Sequence, residues 1–369
     1  LMRSSAASDV YKRQLYDGTS PDGTCYEPDS IQKVHQSYGR PYQLPNSTAH
    51  NETCANIGNM LFNWRMLEVT GDAKYAELVE TCLYNSILSG ISLDGKKYFY
   101  TNPLRISADL PYTLRWPKER TEYISCFCCP PNTLRTLCQA QNYAYTLGSE
   151  GIYCNLYGAN TLTTNWRDKG EIALTQKTAY PWEGNVRVEF DRVPRKAGVF
   201  SLFLRIPEWC EKAMLTVNGE LVPVAAKANT YAEVKRTWKK GDVVEWVMDM
   251  PVRLLEAHPL AEEIRNQVVV KRGPLVYCLE SMDMRGGGSI DNVLIPADIK
   301  LIPKKVTIEG SPVVALEGKA RLISSNSWEG ILYRPVSFAG KTVDIRLIPY
   351  YAWGNRGKGE MTVWMPLGR

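Results

Sequence analysis

The sequence contains no apolar run of the roughly 18 residues that a membrane-spanning helix requires. Its apolar runs are short, such as residues 198–204 and 268–270. It also contains no block of five like charges, and 44 basic residues stand against 39 acidic ones, for a net charge of +5. A membrane span and a nucleic-acid-binding surface are therefore not indicated, and the charge balance bears mainly on solubility.

Phenylalanine is scarce, with 7 residues against 21 Tyr and 10 Trp. Rings that carry a polar group suit sites that are partly apolar and partly wet, such as carbohydrate clefts, although such rings also fill cores and sheets. The length of 369 residues, with 44% hydrophobic and 22% charged residues, predicts a globular chain of two or three domains.

We interpret the first fourteen residues, LMRSSAASDVYKRQ, as an addition rather than a natural start. They lack an initiating Met at position 1, an apolar signal core and any periodicity that continues downstream. They resemble a recurrent translated adaptor artefact, so we exclude residues 1–14 from fold reasoning as a sequencing or cloning scar. We expect the gene to be truncated, and the cellular location stays open because any export signal would have been lost.

Three helices are predicted in the first 150 residues. At 52–70 apolar residues recur at three- and four-residue spacing, and Gly71 follows as a C-terminal cap. A second amphipathic helix spans 72–90. After a short strand at 98–101 and a Pro-punctuated loop, a third helix begins near a proline and spans 131–147.

From residue 151 onward the pattern changes to short alternating stretches separated by turns, which predicts antiparallel sandwiches. The main stretches are 152–157, 186–190, 200–206, 214–217, 242–248 and 275–279. The pair Asn218-Gly219 predicts a type I′ hairpin, because both residues tolerate positive φ. The predicted division is a helical region at 15–148, a β-sandwich domain at 149–251 and a second β-sandwich domain at 252–369.

Four of the ten cysteines cluster at predicted helix starts: Cys54 at the first, and Cys126, Cys128 and Cys129 before the third. Disulfides are the weaker hypothesis, because the chain is long and has a normal core. One helix-entry turn can direct two sulfurs at a zinc ion if another segment supplies the remaining ligands, and Glu52 with Cys54 can supply them. The residues thus predict a zinc site of Glu52, Cys54, Cys128 and Cys129, with a cluster of buried free thiols as the alternative.

Three motifs, in order, strongly resemble the bacterial β-L-arabinofuranosidase family of glycoside hydrolases: LPNSTAHNETCANIG at 44–58, YTNPL at 100–104 and CFCCPPN at 126–132. The resemblance implies that 15–148 is the C-terminal part of an (α/α)6 helical barrel that carries the active site, followed by the β-sandwich domains. It also implies that the first half or more of the barrel is absent from this chain.

The implied function is that of a retaining exo-acting hydrolase of β-linked L-arabinofuranose or a related plant cell-wall sugar. Zn2+ is the implied cofactor and an oligosaccharide or glycan the implied partner. No nucleic-acid partner is expected, and an oligomer is left open. The location stays unknown between the cytoplasm and the periplasm of a bacterium.

Residue by residue, the resemblance implies that Glu52, Cys54 and Cys129 ligate zinc. Cys128 matches the cysteine that both ligates zinc and attacks the sugar, and Tyr100 matches a tyrosine lining the sugar site. Zinc binding deprotonates a thiol that is otherwise mostly protonated at neutral pH, and makes sulfur a better leaving group. Two inversions at the anomeric carbon, first by sulfur and then by water, give retention.

One departure from the family pattern concerns the proton donor. The family places its acid/base Glu sixteen residues before the zinc Glu, and Gln36 occupies that position here. An amide cannot exchange a proton with a glycosidic oxygen near neutral pH. Glu27 is the first candidate replacement, before Asp29, His35 and His50, and a substrate whose leaving group needs little help would also tolerate Gln36.

Two further functions stay open. In one, the zinc cluster only joins two barrel helices and the sandwiches mediate oligomer or glycan contacts. Gln36 favours that non-catalytic function, whereas the CFCCPPN run favours catalysis. In the other, Cys126 and Cys128 form a redox pair, which is disfavoured because sulfurs bound to zinc are protected from oxidation.

Overall fold

The computed structural model describes residues 14–15, 37–38, 41–108, 117–125, 128–323, 331–333, 335 and 340–368. Within these ranges three α-helices lie before residue 140: α1 (Thr53–Thr70), α2 (Ala73–Thr81) and α3 (Cys129–Gln139). Helix α2 continues through a π-helical turn at Cys82–Ile87 and a 3-10 turn at Leu88–Gly90. None of the described helices is long and apolar enough to cross a membrane.

The predicted boundary between the first two helices is confirmed. Gly71 adopts φ 68°, and its N–H donates to the carbonyl of Leu67 at 2.8 Å, which ends α1. The Asp72 side chain accepts a hydrogen bond from the Lys74 N–H at 3.1 Å and caps α2. A left-handed glycine and an acidic N-cap are the local signals that set such boundaries.

The predicted third helix is wrong at its far end. Helix α3 starts at Cys129 with two prolines in its first turn, ends at Gln139 and is followed by a 3-10 turn at Ala140–Tyr143. Residues Tyr145–Leu147 form a strand instead, because they pair antiparallel with Gly151–Cys154 across a tight turn. The predicted strand at 98–101 is also reduced, to isolated bridges at Tyr98 and Thr101.

The strands are numbered along the chain. The first eleven are β1 (Gln14–Leu15), β2 (Ser37–Tyr38), β3 (Arg105–Ile106), β4 (Tyr145–Leu147), β5 (Gly151–Cys154), β6 (Asn160–Asn165), β7 (Glu171–Thr178), β8 (Asn185–Arg192), β9 (Val199–Ile206), β10 (Ala213–Val217) and β11 (Glu220–Val222). The others are β12 (Thr230–Thr237), β13 (Val243–Met248), β14 (Val252–Glu256), β15 (Gln267–Arg272), β16 (Leu275–Met284), β17 (Val293–Pro296), β18 (Ile302–Ile308), β19 (Ser311–Ile323), β20 (Gly340–Pro349), β21 (Met361–Thr362) and β22 (Met365–Gly368).

The middle β region is a two-layer sandwich. Its described strands form a six-stranded sheet in the order β11-β10-β13-β8-β7-β6 and a four-stranded sheet in the order β12-β9-β5-β4. The core between them is apolar and includes Trp246, Phe190 and Leu204. The predicted hairpin is confirmed, since Asn218 and Gly219 both have positive φ between β10 and β11. The expected antiparallel pairing fails for β5 and β9, which are parallel.

The C-terminal β region is one ten-stranded sheet over the described residues, and it curls on itself because β15 pairs with both β22 and β16. Here β17 and β22 form a second parallel pair. The helical region contributes β3 to this sheet, paired with β21. The mixed architecture of few helices and sandwich-like sheets is therefore confirmed, and the C-terminal sheet reaches the segment that follows Tyr100.

Candidate metal and active site

The four predicted metal ligands are brought together by two helix starts. Glu52 lies immediately before α1 and Cys54 lies in its first turn, whereas Cys128 immediately precedes α3 and Cys129 is its first residue. Gly90 lets these helix starts approach, since a Cβ there would lie 2.8 Å from Thr53 Cγ2. The adjacent Cys128 and Cys129 are thus joined by Glu52 and Cys54 from a second segment, as the sequence predicts.

The four donor atoms form a compact group. One carboxylate oxygen and three sulfurs all lie within 4.8 Å of one another. The Cys128 and Cys129 sulfurs are 3.7 Å apart, and Glu52 Oε1 lies 3.6 Å from Cys128 Sγ and 3.8 Å from Cys129 Sγ. These distances define the size of ion that the group can hold.

The donor set fits zinc. With Zn–S of about 2.3 Å and Zn–O of about 2.1 Å, a tetrahedral ion places two sulfurs about 3.8 Å apart, and a sulfur and an oxygen about 3.6 Å apart. The spacings around Cys128 and Cys129 agree with those edges. Three thiolates also favour zinc over magnesium or calcium, which prefer oxygen ligands.

Tyr100 and His50 surround the carboxylate of Glu52. The Tyr100 hydroxyl donates to Glu52 Oε1 at 3.0 Å and lies 3.7 Å from Cys128 Sγ. His50 is fully buried, and its Nε2 lies 3.9 Å from Glu52 Oε2. Tyr100 is thus beside the predicted metal ligands, and His50 lies behind the Glu52 carboxylate.

The three sulfurs differ in burial and in protonation. Cys129 is only 1% exposed, whereas Cys54 and Cys128 are half-buried. Hydrogen bonds lower the pKa of the Cys54 thiol to about 6, chiefly the bond donated by Cys129, with another from the Asn132 amide. The pKa of Cys129 is raised because its proton is held in that bond and because burial disfavours a second charge. Within this pair the Cys54 thiol is therefore the one that loses its proton more readily.

A segment that we call the site loop (residues 98–104) carries Tyr100 and is bonded to the start of α1. The Thr53 N–H donates to the Tyr100 carbonyl at 3.0 Å, and Glu52 forms a β-bridge with Thr101. The Asn102 amide donates to the Asn51 carbonyl at 3.0 Å and to Thr53 Oγ1 at 3.1 Å. The position of Tyr100 relative to Glu52 is thus set by backbone pairing.

The structure groups Tyr100 with all four predicted ligands, and places His50 behind them. Gln36, Glu27, Asp29, His35 and Cys126 lie outside the described residues. Sequence reasoning missed Asn132, whose amide donates to Cys54 Sγ at 3.2 Å, although it lies inside the CFCCPPN motif. It also missed Arg120, a buried arginine bonded to three backbone carbonyls around the site loop.

Three family models match the chain in order. Residues 23–142 match the GH127 catalytic domain of β-L-arabinofuranosidase, and 151–250 match the GH127 middle domain of that enzyme. Residues 252–366 match the C-terminal domain of glycoside hydrolase family 127.

One similar relative is a non-reducing end β-L-arabinofuranosidase from Bifidobacterium longum subsp. longum, 31% identical over 345 residues. The match includes 90% of this chain and 51% of the relative, so the chain spans about half of that protein's length.

Solved structures are similar as well. A glycoside hydrolase is 85% identical with a TM-score of 0.93, covering 99% of this chain and 61% of its own. A GH127 β-L-arabinofuranosidase from Geobacillus stearothermophilus T6 is 37% identical with a TM-score of 0.83, and the match covers 98% of this chain and 56% of that enzyme's chain. A GH127 β-arabinofuranosidase is 31% identical with a TM-score of 0.80, and the match covers 98% of this chain and 55% of that enzyme's chain.

Proposed function

The chain belongs to glycoside hydrolase family 127, and on that premise we propose that it forms part of a retaining exo-acting β-L-arabinofuranosidase. The proposed substrate is a β-linked L-arabinofuranose or a related plant cell-wall sugar. The observation that carries the proposal is the group of one carboxylate and three thiols, at zinc-sized spacing, beside the hydroxyl of Tyr100.

The proposed zinc ligands are Glu52, Cys54, Cys128 and Cys129. When bound, zinc keeps the sulfurs deprotonated near neutral pH and makes sulfur a better leaving group. Cys128 is the proposed nucleophile, because its sulfur is half-buried rather than enclosed and lies beside Tyr100. The start of α3 adds a favourable field for negative charge at this sulfur.

The proposed reaction has two steps. The Cys128 sulfur forms a bond to the anomeric carbon while the bond to the departing oxygen breaks, and that oxygen takes up a proton. Water then attacks the same carbon and loses a proton, which releases the sugar and the Cys128 thiolate. Tyr100 is proposed to bind the sugar and, through its hydrogen bond, to orient the Glu52 carboxylate.

The proton donor for the first step is the part of the mechanism that this chain alters. Gln36 occupies the family acid/base position, and its amide cannot transfer a proton to a glycosidic oxygen near neutral pH. Glu27 is proposed as its replacement. A non-catalytic homologue, in which zinc only joins α1 to α3, is the second candidate function, and Gln36 is the observation that favours it.

The division of the chain is proposed to follow the family. Residues 15–148 would be the C-terminal part of an (α/α)6 barrel, and 149–251 and 252–369 the two β domains. The matched ranges 23–142, 151–250 and 252–366 support this division.

The metal site is tested by elemental analysis of the chain purified without a chelator. We expect about one zinc per chain, and a loss of zinc in Cys54→Ser because an alcohol is a poorer zinc ligand than a thiolate. Cys138→Ser is the matched control, since Cys138 is exposed on the same helix as Cys129. Substoichiometric metal that Cys54→Ser does not change would contradict the site.

The chemistry is tested on the protein extended N-terminally to the length of its relatives, since we expect the chain alone to show little or no turnover. Proton donation is worth about 10²- to 10⁴-fold in rate, so an activated aryl β-L-arabinofuranoside should react much better than a sugar-linked substrate. Gln36→Glu should narrow that gap, and Cys128→Ser should abolish both reactions.

Two results would redirect the mechanism. If Gln36→Glu changes nothing while Glu27→Gln abolishes turnover of the sugar-linked substrate, the proton donor is Glu27. Activity that survives Cys128→Ser would exclude the cysteine nucleophile. A zinc-loaded, extended protein with no activity on either substrate would support the non-catalytic function.

A further inference from the structure

Glu52 supplies the oxygen ligand of the proposed metal site, and the other three ligands are sulfurs. It lies at the N-terminal end of α1 with φ −55° and ψ 137°, where the backbone is not yet helical. The first residues of a helix lack part of the hydrogen bonding that fixes its interior. A glutamate side chain also loses several rotatable bonds' worth of freedom when its carboxylate is fixed. The contacts on either side of Glu52 therefore bear directly on the metal site.

The side-chain amide of Asn102 joins the two residues that flank Glu52. Its Nδ2 donates to the Asn51 carbonyl at 3.0 Å and to Thr53 Oγ1 at 3.1 Å. Its Oδ1 accepts a hydrogen bond from the Ser89 hydroxyl. These contacts use both N–H donors and the carbonyl of the amide, which fixes its orientation. The Asn102 amide thus ties the start of α1 to the 3-10 turn that carries Ser89.

The backbones of Asn51 and Asn102 are joined as well. The Asn102 N–H donates to the Asn51 carbonyl at 3.1 Å, and the Asn51 amide donates to the Asn102 carbonyl at 3.3 Å. Asn51 has φ 39°, a left-handed conformation that residues other than glycine adopt rarely. This conformation turns the chain immediately before Glu52. The bonds to Asn102 therefore stabilise a turn that the chain would not strongly favour by itself.

A ring of hydrogen bonds connects Asn102 to the tyrosine at the site. Thr53 Oγ1 accepts from the Asn102 amide and donates to the Tyr100 carbonyl at 3.2 Å, and the Thr53 N–H donates to the same carbonyl at 3.0 Å. Thr53 is fully buried and Asn102 is only 1% exposed, so loss of a donor here leaves buried groups unsatisfied. Because the Tyr100 hydroxyl donates to Glu52 Oε1, the ring reaches the carboxylate from both ends.

We propose that Asn102 is a positioning residue that holds Glu52 in the geometry needed to ligate the metal. It acts through the Asn51 carbonyl and the Thr53 hydroxyl, one on each side of Glu52. Residues that orient metal ligands typically change metal affinity by about 10- to 100-fold. The inference rests on the proposed function, since it assumes that the cluster of one carboxylate and three thiols holds a metal.

The experiment measures the zinc affinity of the 369-residue chain by chelator competition, and it needs no glycosidase activity. We expect Asn102→Ala to lower the affinity by about tenfold. Asn63→Ala is the matched control, since Asn63 is an asparagine of α1 that is 2% exposed and bonds to Asn59. The control should lower the urea midpoint of unfolding but keep the wild-type zinc affinity. An unchanged affinity in Asn102→Ala, or an equal fall in Asn63→Ala, would overturn the inference.

A second background shows whether Asn102 acts through Glu52. Glu52→Ala leaves three sulfurs to hold zinc and should lower the affinity by itself. If Asn102 positions Glu52, adding Asn102→Ala to Glu52→Ala should lower the zinc affinity by less than about twofold further, because the two substitutions remove the same interaction. A general loosening of the fold would instead lower it by the same factor in both backgrounds, and that result would contradict the inference.

Thr53 tests the same contact without a change at Asn102. Thr53→Val removes the hydroxyl and keeps the branched shape, so we expect zinc affinity to fall in the same direction as in Asn102→Ala. Thr53→Ser keeps the hydroxyl and should restore most of the wild-type affinity. If Asn102→Ala does not fold, this pair decides, and equal zinc affinity in Thr53→Val and Thr53→Ser would overturn the inference.

Failure of this inference is distinct from failure of the proposed function. The function fails if the wild-type chain holds no zinc, or if the extended protein remains active as Cys128→Ser. The inference alone fails if the wild-type chain holds zinc and Asn102→Ala binds it with the same affinity.

Discussion

The helical region contacts the two β regions in different ways. Toward the middle β region, the contact that we call the helix interface consists of side-chain charges: Arg205 of β9 lies 2.6 Å from both Glu77 and Glu80 of α2. All three side chains are almost completely buried, and Arg205 also donates to the Asn155 carbonyl. Here two carboxylates from a helix surround one cation from a sheet.

Toward the C-terminal β region, the contact that we call the loop interface consists of hydrogen bonds to the backbone. Arg120 donates to the carbonyls of Ser89, Tyr351 and Trp353, at 2.8 to 3.3 Å. Its guanidinium also stacks on Phe99, whose ring stacks on Trp353 at 4.5 Å. Among the described residues Arg120 has no carboxylate within ion-pair distance, so its positive charge is compensated by carbonyl dipoles.

Because the two interfaces differ in their contacts, we expect them to differ in what they stabilise. The helix interface holds α2, which carries no proposed ligand, so we expect it to govern stability. The loop interface surrounds Phe99, the neighbour of Tyr100, and the site loop is paired with Glu52 and Thr53. We therefore expect the loop interface to govern the geometry of the proposed metal site as well as stability.

The largest loss of stability is expected from breaking the helix interface. Arg205→Met leaves Glu77 and Glu80 buried without a cation, and removal of one partner of a buried ion pair costs about 3–5 kcal/mol. Urea unfolding of the zinc-loaded chain measures the loss, and the zinc content of the folded fraction should not change. The triple variant Arg205→Met, Glu77→Gln, Glu80→Gln should recover much of the lost free energy of unfolding, because no buried charge is left unpaired. A loss below about 1 kcal/mol would show that the triad is not a structural contact.

A smaller loss of stability, with a loss of metal, is expected from Arg120→Met. The variant leaves buried carbonyls without donors, and each unsatisfied group costs about 1–3 kcal/mol, with non-additivity among neighbours. Because the site loop then loses its support, we expect zinc affinity to fall by about tenfold. Chelator competition measures the affinity, and Arg205→Met is the control. Equal zinc affinity in the two variants would remove the distinction between the interfaces.

Local features of the fold could be predicted from the sequence, because local rules set them. The hairpin at Asn218-Gly219 requires two residues with positive φ, and that requirement is visible in two letters. The burial of α1 could not be predicted in this way. Its buried face includes Asn56, Asn59 and Asn63, while Leu61 is 43% exposed. The Asn59 and Asn63 side chains bond to each other, so polar groups are buried here without loss of hydrogen bonds.

The grouping of the ligands was predicted, but the residues that support them were not. Two helix starts with carboxylate and thiol groups gave a recognisable pattern, because zinc needs particular donor types. Arg120 carries no such signal, since its partners Tyr351 and Trp353 lie more than 230 residues away along the chain. Asn132 lies in a motif, yet its role depends on the side-chain direction that α3 imposes. The predicted end of the third helix was wrong for a similar reason. Residues Tyr145–Leu147 pair with Gly151–Cys154, and this pairing overrides the helical pattern of the sequence.

The smallest loss of stability is expected from a contact between the two β regions. Arg253 of β14 donates to both carboxylate oxygens of Glu208, at 2.8 and 3.2 Å, and these bonds lower the pKa of Glu208. The Glu208 side chain is 40% exposed, unlike those of the buried triad, so solvent screens the pair and Glu208→Gln should cost less than about 1 kcal/mol at pH 7.

The pH and salt dependence of that small effect distinguishes the exposed pair from the buried one. Because the folded-state pKa of Glu208 lies below its unfolded value of about 4.5, the stabilisation is fully present above that value and is lost as the pH falls through the lower folded pKa. The difference in unfolding free energy between wild type and Glu208→Gln should therefore vanish in acid. It should also shrink in 1 M salt, where the screening length falls to about 3 Å, whereas the loss in Arg205→Met should not. A Glu208→Gln effect that resists both acid and salt would mean that this contact behaves like the buried triad, and that exposure does not separate the two kinds of ion pair in this protein.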